Sequence, residues 1–257
     1  SRVVRVCNNL LNEKSRHVFM REINQSYQAL RHQYQNRHVS SSTYTLQQAR
    51  NNRFVIDWEN KACTIPAFTG IKVLPQIQID NLRDYIDWTP FFKAWSLAGS
   101  YPNLLSDPVI GDAATDLFTD ANTMLDLIIE RSLIEAKAVF GFFPANSVGD
   151  DIIIYHDETR QSVQTKFCCI RQQMERSNNK PNYCLSDFIA PADTGKADYL
   201  GLFAVTAGVG VDQLVKDYEN NNDSYNVILL KALADRLAEA LAEYLHKHVR
   251  QTYWGYT

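Results

Sequence analysis

The chain has 257 residues, of which 45% are hydrophobic and 21% charged, and its formal net charge is −3 at pH 7. This balance is typical of a soluble globular protein, and no apolar run approaches the roughly 20 residues of a membrane span, so we predict no membrane partner. The first residues contain no uninterrupted apolar segment, which argues against a signal peptide. Five scattered cysteines without a C-x-x-C pair predict free thiols in a cytoplasmic protein.

Residues 1–60 are basic, although the whole chain is acidic. They hold nine Lys and Arg against four acidic residues, a balance of +5 that leaves −8 for the remainder. A basic arm suits nucleic acid, but the aromatic residues Phe19, Tyr27 and Tyr34 follow a helical spacing and form no stacking platform. We interpret the segment as a solvated helix face and predict no nucleic-acid partner.

The chain begins with a helical pattern. Residues 2–37 suit a helix that is interrupted near 8–15, and the second part carries one apolar stripe. The members of this stripe are Val18, Ile23, Tyr27, Leu30 and Tyr34. The polar, serine-rich residues 38–44 predict a linker, so we expect a different unit to begin at residue 45.

Helices precede and follow a group of short strands in this second unit. Residues 45–53 suit a short helix, 65–80 an irregular strand, and 111–133 a long helix that begins at Gly111-Asp112. The next β-type runs are joined by turns too short for parallel crossovers, so we expect antiparallel neighbours. These runs are 139–143, 151–155 and 163–169. A fourth candidate strand, 199–205, is apolar throughout, which predicts a central strand.

A last long helix covers residues 226–256 and places regularly spaced apolar residues on one face. These residues are Leu230, Leu233, Leu237, Leu241, Leu245 and Val249. The order of helix, antiparallel strands and helix predicts an α+β fold: a twisted antiparallel sheet flanked by helices, preceded by an N-terminal helical segment.

Asp87 is the first candidate site residue, because it lies among aromatic and apolar residues in the stretch "YIDWTPFF". A buried aspartate needs a partner, since desolvation of an unpaired carboxylate costs several kcal/mol or shifts its pKa. Two interpretations remain open. Asp87 either caps a helix that has Pro90 in its first turn, or contacts a bound ligand.

Glu239 is the second candidate, with Asp235 and Glu243 four residues away on either side. Three acids at this spacing repel mildly and suit either a solvated face or a cationic partner. Glu243 and His246 also form one Glu-x-x-His step, but a di-iron site needs a second step and further carboxylates on facing helices. The sequence has no second step, so we predict no metal site.

Several longer motifs resemble one family. They are "YIDWTPFF", "AWSLAGSYP", "FTDANTML", "GFFPANSVGDDI", "YCLSDFIAP", "GKADYLGLFAV" and "KALADRLAEALAEYLHKHVRQTYWGY". In order and content they resemble the activation domain of cobalamin-dependent methionine synthase, almost continuously over 45–257. Residues 1–37 resemble the final helix of the cobalamin-binding module of that enzyme and the helix that connects it to the activation domain.

The resemblance implies a role in reactivation. The complete enzyme transfers a methyl group from methyltetrahydrofolate to homocysteine through cobalamin, and oxidation leaves inert cob(II)alamin. The activation domain binds S-adenosylmethionine, and reduction by a flavodoxin-type partner restores methylcobalamin. We therefore expect part of a methyltransferase without independent turnover, with S-adenosylmethionine as its ligand. Because the methyl group of the sulfonium is already activated, the resemblance also implies that no side chain of this chain is catalytic. Cobalamin would be held by a module outside this chain, and zinc would occur only in the full-length enzyme.

The resemblance also implies site residues. Asp87 matches the Asp of the family that contacts S-adenosylmethionine, where a carboxylate in a partly dry cleft would form a charge-assisted bond. Glu239 matches the Glu of the "RLAEA" segment near the ligand. Asp235 and Arg236, just before it, match the region where the cobalamin module docks.

One departure from the family concerns the C-terminus. The principal ligand motif of the family, R-x-x-x-G-Y, has no match, because four residues separate Arg250 from Gly255. We therefore assign neither Arg250, Gly255 nor Tyr256 as a ligand contact and expect an incomplete activation domain. The alternative function is a docking module for the reductase and the cobalamin domain, without ligand binding of its own. The basic residues 1–60 favour it, because flavodoxins are acidic and charge steers encounter.

Overall fold

The structure, a computed structural model, describes residues 6, 9–38, 43–175 and 180–255. The described residues of 1–56 and 169–188 form one compact unit, and those of 57–168 and 189–257 form another. Most of the predicted linker at 38–44 lies outside the described residues, so the division at residue 45 stays a prediction.

The first unit contains helix α1 (Glu13–His38) and the short helix α2 (Leu46–Asn51). Helix α2 begins with a capping box, in which Thr45 and Gln48 bond each other's backbone N–H groups. The apolar stripe of α1 is not packed as its pattern suggests, because Val18 and Leu30 are 57% and 56% exposed. Periodicity predicts the helix correctly, but burial depends on a partner surface that local sequence does not specify.

A buried ion pair and an aromatic cluster stabilise the first unit. The Arg171 guanidinium donates two hydrogen bonds to Asp187, at 2.9 and 2.6 Å, and the two side chains are 1% and 4% exposed. The ring of Phe54 packs on those of Tyr183 and Phe188 at centroid distances of 5.5 and 5.4 Å.

The second unit is built on a five-stranded antiparallel sheet, which confirms the predicted α+β class. Its order is β1-β2-β3-β4, and β5 pairs with β2. The strands are β1 (Gly70–Ile77), β2 (Glu135–Val148), β3 (Asp151–Tyr155), β4 (Val163–Cys168) and β5 (Asp198–Val209).

The central strand is β2, and the prediction that the run at 199–205 is central was wrong. Strand β2 pairs with β1 and β3 and also with β5, whereas β5 pairs only with β2 among the described residues. Much of β5 is exposed, including Leu202 and Phe203. An apolar run is typical of buried strands, but its place in the sheet depends on non-local pairing.

Four helices complete the second unit. The longest, α6, carries the predicted leucines on its core face, and Leu233, Leu237 and Leu241 are fully buried. A π-helical turn, Val249–Trp254, follows it. The helices are α3 (Trp88–Ala94), α4 (Gly111–Glu130), α5 (Val211–Asn220) and α6 (Ser224–His248).

Two further findings concern the cysteines and the apolar character of the helices. Cys63, Cys168, Cys169 and Cys184 form no disulfide with one another, as predicted, while Cys7 lies outside the described residues. Within the described ranges, no helix combines the length and apolar character that crossing a bilayer requires.

Candidate functional site

Asp87 caps helix α3. The backbone N–H of Thr89 donates a hydrogen bond to Asp87 Oδ1 at 3.0 Å, and Asp87 has the extended backbone of an N-cap residue. The structure confirms the cap that the sequence allowed. Because this bond uses one carboxylate oxygen and Oδ2 has no hydrogen bond to any described residue, the cap leaves room for a second partner.

The aromatic residues around Asp87 do not bury it. Ile86 and Trp88 are 8% and 7% exposed and belong to the core, but the Asp87 side chain between them is exposed. Asp87 is therefore exposed among the described residues, and the partly dry cleft that a ligand contact implies stays a prediction. The apolar neighbours fix the backbone, and the carboxylate points to solvent.

The residues before Asp87 attach this segment to the C-terminal half of α6. The ring of Tyr85 packs edge-on against that of Tyr244, with centroids 5.6 Å apart. Lys247 Nζ donates a hydrogen bond to the Tyr85 hydroxyl at 3.1 Å. These contacts hold the start of α3 beside the helix that carries the other candidate residues.

Those candidates, Asp235, Arg236 and Glu239, form one network. The Arg236 guanidinium donates to both oxygens of Glu239, at 2.6 and 2.9 Å, and to Asp235 Oδ2 at 2.5 Å. The Arg236 side chain is 9% exposed, whereas those of Asp235 and Glu239 are 70% and 62% exposed. A buried cation thus holds two carboxylates at the surface of α6.

The electrostatics of this network follow from its geometry. Burial disfavours the charged guanidinium, but the hydrogen bonds and charges of Asp235 and Glu239 outweigh it, so the pKa of Arg236 lies above its ordinary value. The cationic partner that the row of acids suggested is therefore Arg236 of the same helix. The network keeps a net charge of −1, so it still attracts a cation.

The structure brings together only part of the predicted site. Arg236 bonds both Asp235 and Glu239, while Asp87 lies on a separate element and shares no hydrogen bond with these three among the described residues. Arg236 is buried, so it does not present its guanidinium to a docking partner as a free charge.

Sequence reasoning missed the side-chain amides that precede Asp87. Gln78 and Asn81 are exposed at a three-residue spacing. Gln78 is the N-cap of a 3₁₀ helix, Ile79–Tyr85, and Asn81 lies within that helix. The available signal was the alternation of polar positions with Ile79 and Leu82, which are buried.

In the described part of the chain, no group of three or more His, Cys, Asp or Glu side chains is placed to hold a metal ion.

Comparison with known proteins identifies the relatives of the chain. A family described as "Vitamin B12 dependent methionine synthase, activation domain" matches residues 78–257. A solved structure titled "Crystal Structure of the MetH Reactivation Domain bound to AdoHcy" is 51% identical, with a TM-score of 0.78. The match covers 83% of this chain and 65% of that one, so this chain spans slightly less than two thirds of its length.

Proposed function

Because the chain belongs to the family of vitamin B12-dependent methionine synthase activation domains, we propose that it is the S-adenosylmethionine-binding module that supports reductive methylation of cob(II)alamin. The 51% identical reactivation domain, which was solved bound to AdoHcy, supports this proposal. AdoHcy is the product that remains when S-adenosylmethionine gives up its methyl group, so a site for one ligand fits the other.

Asp87 is the observation that carries the proposal. Its carboxylate is exposed, its position is fixed by the α3 cap, and one of its oxygens has no partner among the described residues. An anionic group with a free acceptor suits the ammonium or sulfonium of the ligand. Asp87 then serves as both cap and ligand contact.

Glu239 is proposed as a second contact. Arg236 fixes the rotamer of Glu239 by bidentate hydrogen bonds, and this reduces the entropy that Glu239 loses when a ligand binds. For docking of the cobalamin domain, we assign the direct contact to exposed Asp235 and a positioning role to Arg236. A flavodoxin-type reductase is the second proposed partner.

The chemistry that the ligand supplies when bound is a methyl group activated on a sulfonium. The residues described need only bind and orient it, because this transfer requires no acid or base from the protein. Alignment of this kind contributes up to about 7–11 kcal/mol to lowering a barrier. No residue here is proposed to hold cobalamin or zinc, and their sites would lie in other modules.

The test is calorimetric titration of S-adenosylmethionine and of AdoHcy into the unmodified chain and into Asp87→Asn. Asparagine is also a good N-cap, so this variant removes the charge and keeps the helix start. Loss of a charge-assisted hydrogen bond should weaken binding by about 2 kcal/mol, roughly thirtyfold. Asp112→Asn, which changes an exposed acid in the first turn of α4, is the matched control.

The two ligands separate the possible contacts. Both carry an ammonium, but only S-adenosylmethionine carries a sulfonium. Equal weakening of both by Asp87→Asn assigns the carboxylate to the ammonium, and selective weakening of S-adenosylmethionine assigns it to the sulfonium. If the unmodified chain binds neither ligand, the docking module becomes the better description of its function.

A further inference from the structure

Tyr85 belongs to the segment that carries one proposed ligand contact and touches the helix that carries the other. Asp87 follows Tyr85 by two residues and begins α3, whereas Glu239 lies on α6. These two carboxylates share no hydrogen bond among the described residues. A ligand that contacts both needs them at a fixed separation, so the attachment of this segment to α6 matters for binding.

The capping bond of Asp87 does not set this separation. It joins Asp87 to Thr89 within one turn of the chain, so it moves with α3. Ile86 and Asp87 are both extended, and they connect the 3₁₀ helix Ile79–Tyr85 to α3. Apolar packing of Ile86 and Trp88 holds this link against the core, but such packing is non-directional. A directed contact with α6 therefore requires a polar group.

Tyr85 makes that directed contact with two residues of α6. Its ring is partly buried and packs edge-on against Tyr244, with the ring planes at 89° and the centroids 5.6 Å apart. Its hydroxyl accepts a hydrogen bond from Lys247 Nζ at 3.1 Å. In the described part of the chain, this is the only hydrogen bond that joins residues 79–94 to α6.

This contact is close to both acidic residues. Two residues of extended backbone place Asp87 about 7 Å from Tyr85, at 3.3 Å per residue. Along α6, Glu239 precedes Tyr244 by about 7.5 Å and Lys247 by about 12 Å, at 1.5 Å per residue. A tilt of the link between Tyr85 and α6 therefore moves Asp87 relative to Glu239.

We propose that Tyr85 is a positioning residue for the S-adenosyl ligand: together with Lys247 it holds Asp87 at the separation from Glu239 that the ligand requires. Tyr85 contacts no ligand atom, and its effect reaches the ligand through the Asp87 carboxylate. The inference rests on the proposed function and adds a residue to which neither the resemblance nor the capping pattern assigns a role. A geometry that is held before the ligand arrives reduces the entropy lost on binding.

The test is calorimetric titration of S-adenosylmethionine and AdoHcy into Tyr85→Phe, which keeps the ring against Tyr244 and removes the hydroxyl. This variant should weaken S-adenosylmethionine binding about threefold, a fraction of the effect of Asp87→Asn. It should change the two affinities in the same proportion as Asp87→Asn does. In an Asp87→Asn background, Tyr85→Phe should cause no further weakening, because the carboxylate through which it acts is gone.

Lys247 allows a rescue experiment. Lys247→Met removes the donor and should weaken S-adenosylmethionine binding about threefold, and the double variant with Tyr85→Phe should be no weaker than either single variant. Lys247→Arg keeps a donor for the hydroxyl and should bind like the unmodified chain. If the charge of Lys247 acted directly on the ligand, Lys247→Met would instead tighten S-adenosylmethionine, the more cationic ligand. That result would refute the positioning role.

Tyr225→Phe is the matched control. Tyr225 lies at the start of α6, about 28 Å from Tyr244 at 1.5 Å per residue, and its hydroxyl donates to Asp120 of α4 at 2.6 Å. The variant removes the same group from the opposite end of the same helix and should bind both ligands normally. Equal weakening by Tyr225→Phe would assign the effect to general loosening of α6 and overturn the inference.

The remaining outcomes separate this inference from the proposed function. If Asp87→Asn weakens S-adenosylmethionine binding and Tyr85→Phe does not, the proposed function stands and the positioning role of Tyr85 is refuted. If Tyr85→Phe weakens binding equally with and without the Asp87 carboxylate, its effect does not pass through Asp87 and the inference also fails. Absence of binding by the unmodified chain overturns both proposals. Urea unfolding of each variant verifies that the chain is folded during the titrations.

Discussion

Replacing Arg236 by methionine tests how much the surface network of α6 contributes to stability. Methionine keeps most of the buried stem and removes the charge. The Arg236 side chain is 9% exposed, but those of its partners Asp235 and Glu239 are 70% and 62% exposed. An ion pair with a solvent-exposed carboxylate contributes about 0.2–1 kcal/mol to stability. The two ion pairs of Arg236 therefore predict a loss of about 1 kcal/mol in the free energy of unfolding.

Urea unfolding followed by circular dichroism measures this loss, because urea leaves the ionic strength unchanged. The difference from the unmodified chain should shrink in about 1 M NaCl, where the Debye length is about 3 Å. Lys231→Met, at an exposed position of α6, is the control and should have little effect. A salt-independent loss of about 3–5 kcal/mol would refute the reasoning, since that is the behaviour of a fully buried ion pair.

The same variant has a consequence for the ligand. Without Arg236, Glu239 loses its cationic partner and the surface of α6 becomes more negative. If Glu239 faces the sulfonium, Arg236→Met should bind S-adenosylmethionine more tightly relative to AdoHcy. An unchanged ratio of the two affinities would place Glu239 away from the sulfonium.

Three further predictions concern stability and pH. Leu237→Ala should lower the free energy of unfolding by about 2–5 kcal/mol in thermal melts, because Leu237 is fully buried in α6. Burial, together with the hydrogen bond to Asp120, raises the pKa of Tyr225 from 10.0 to about 12. The stabilisation that protonated Tyr225 gives the folded chain should be complete below pH 10.0 and lost as pH rises to about 12. In Asp120→Asn, tyrosinate absorbance should show that the pKa of Tyr225 rises less above 10.0. Asp187→Asn should lower the free energy of unfolding by about 3–5 kcal/mol, because the Arg171 side chain, 1% exposed, loses its carboxylate partner.

Each of these predictions has a contrary outcome. A loss below about 1 kcal/mol for Leu237→Ala would mean that the surrounding core collapses into the space left. Tyrosinate absorbance that is identical with and without Asp120 would remove that carboxylate as a cause of the shift. If Asp187→Asn leaves the free energy of unfolding unchanged, hydrogen bonds without the negative charge are enough to satisfy Arg171.

The sequence predicts the helices of the second unit well, since a helix buries one face at a spacing fixed by its own geometry. The leucines of α6 illustrate this, because the predicted stripe is the buried one. The stripe of α1 obeys the same spacing and yet stays exposed at Val18 and Leu30. A periodic pattern therefore specifies the conformation, while burial depends on a partner surface.

The sequence also identifies the strands but not their arrangement. The run at 199–205 is apolar enough for a central strand, yet β2 takes that place because its 14 residues pair along both edges. Strand pairing joins residues that are distant in the chain, so composition within one strand cannot decide its neighbours.

For the candidate site, the sequence by itself selected the candidate residues, and the tertiary structure decided what each one contacts. Motif resemblance selected Asp87, Asp235, Arg236 and Glu239, and local capping rules foresaw the bond from Thr89 to Asp87. Only the structure placed Asp87 in solvent and buried Arg236 between two carboxylates. The physical reason is that capping acts over a few residues, whereas exposure depends on every element that packs nearby.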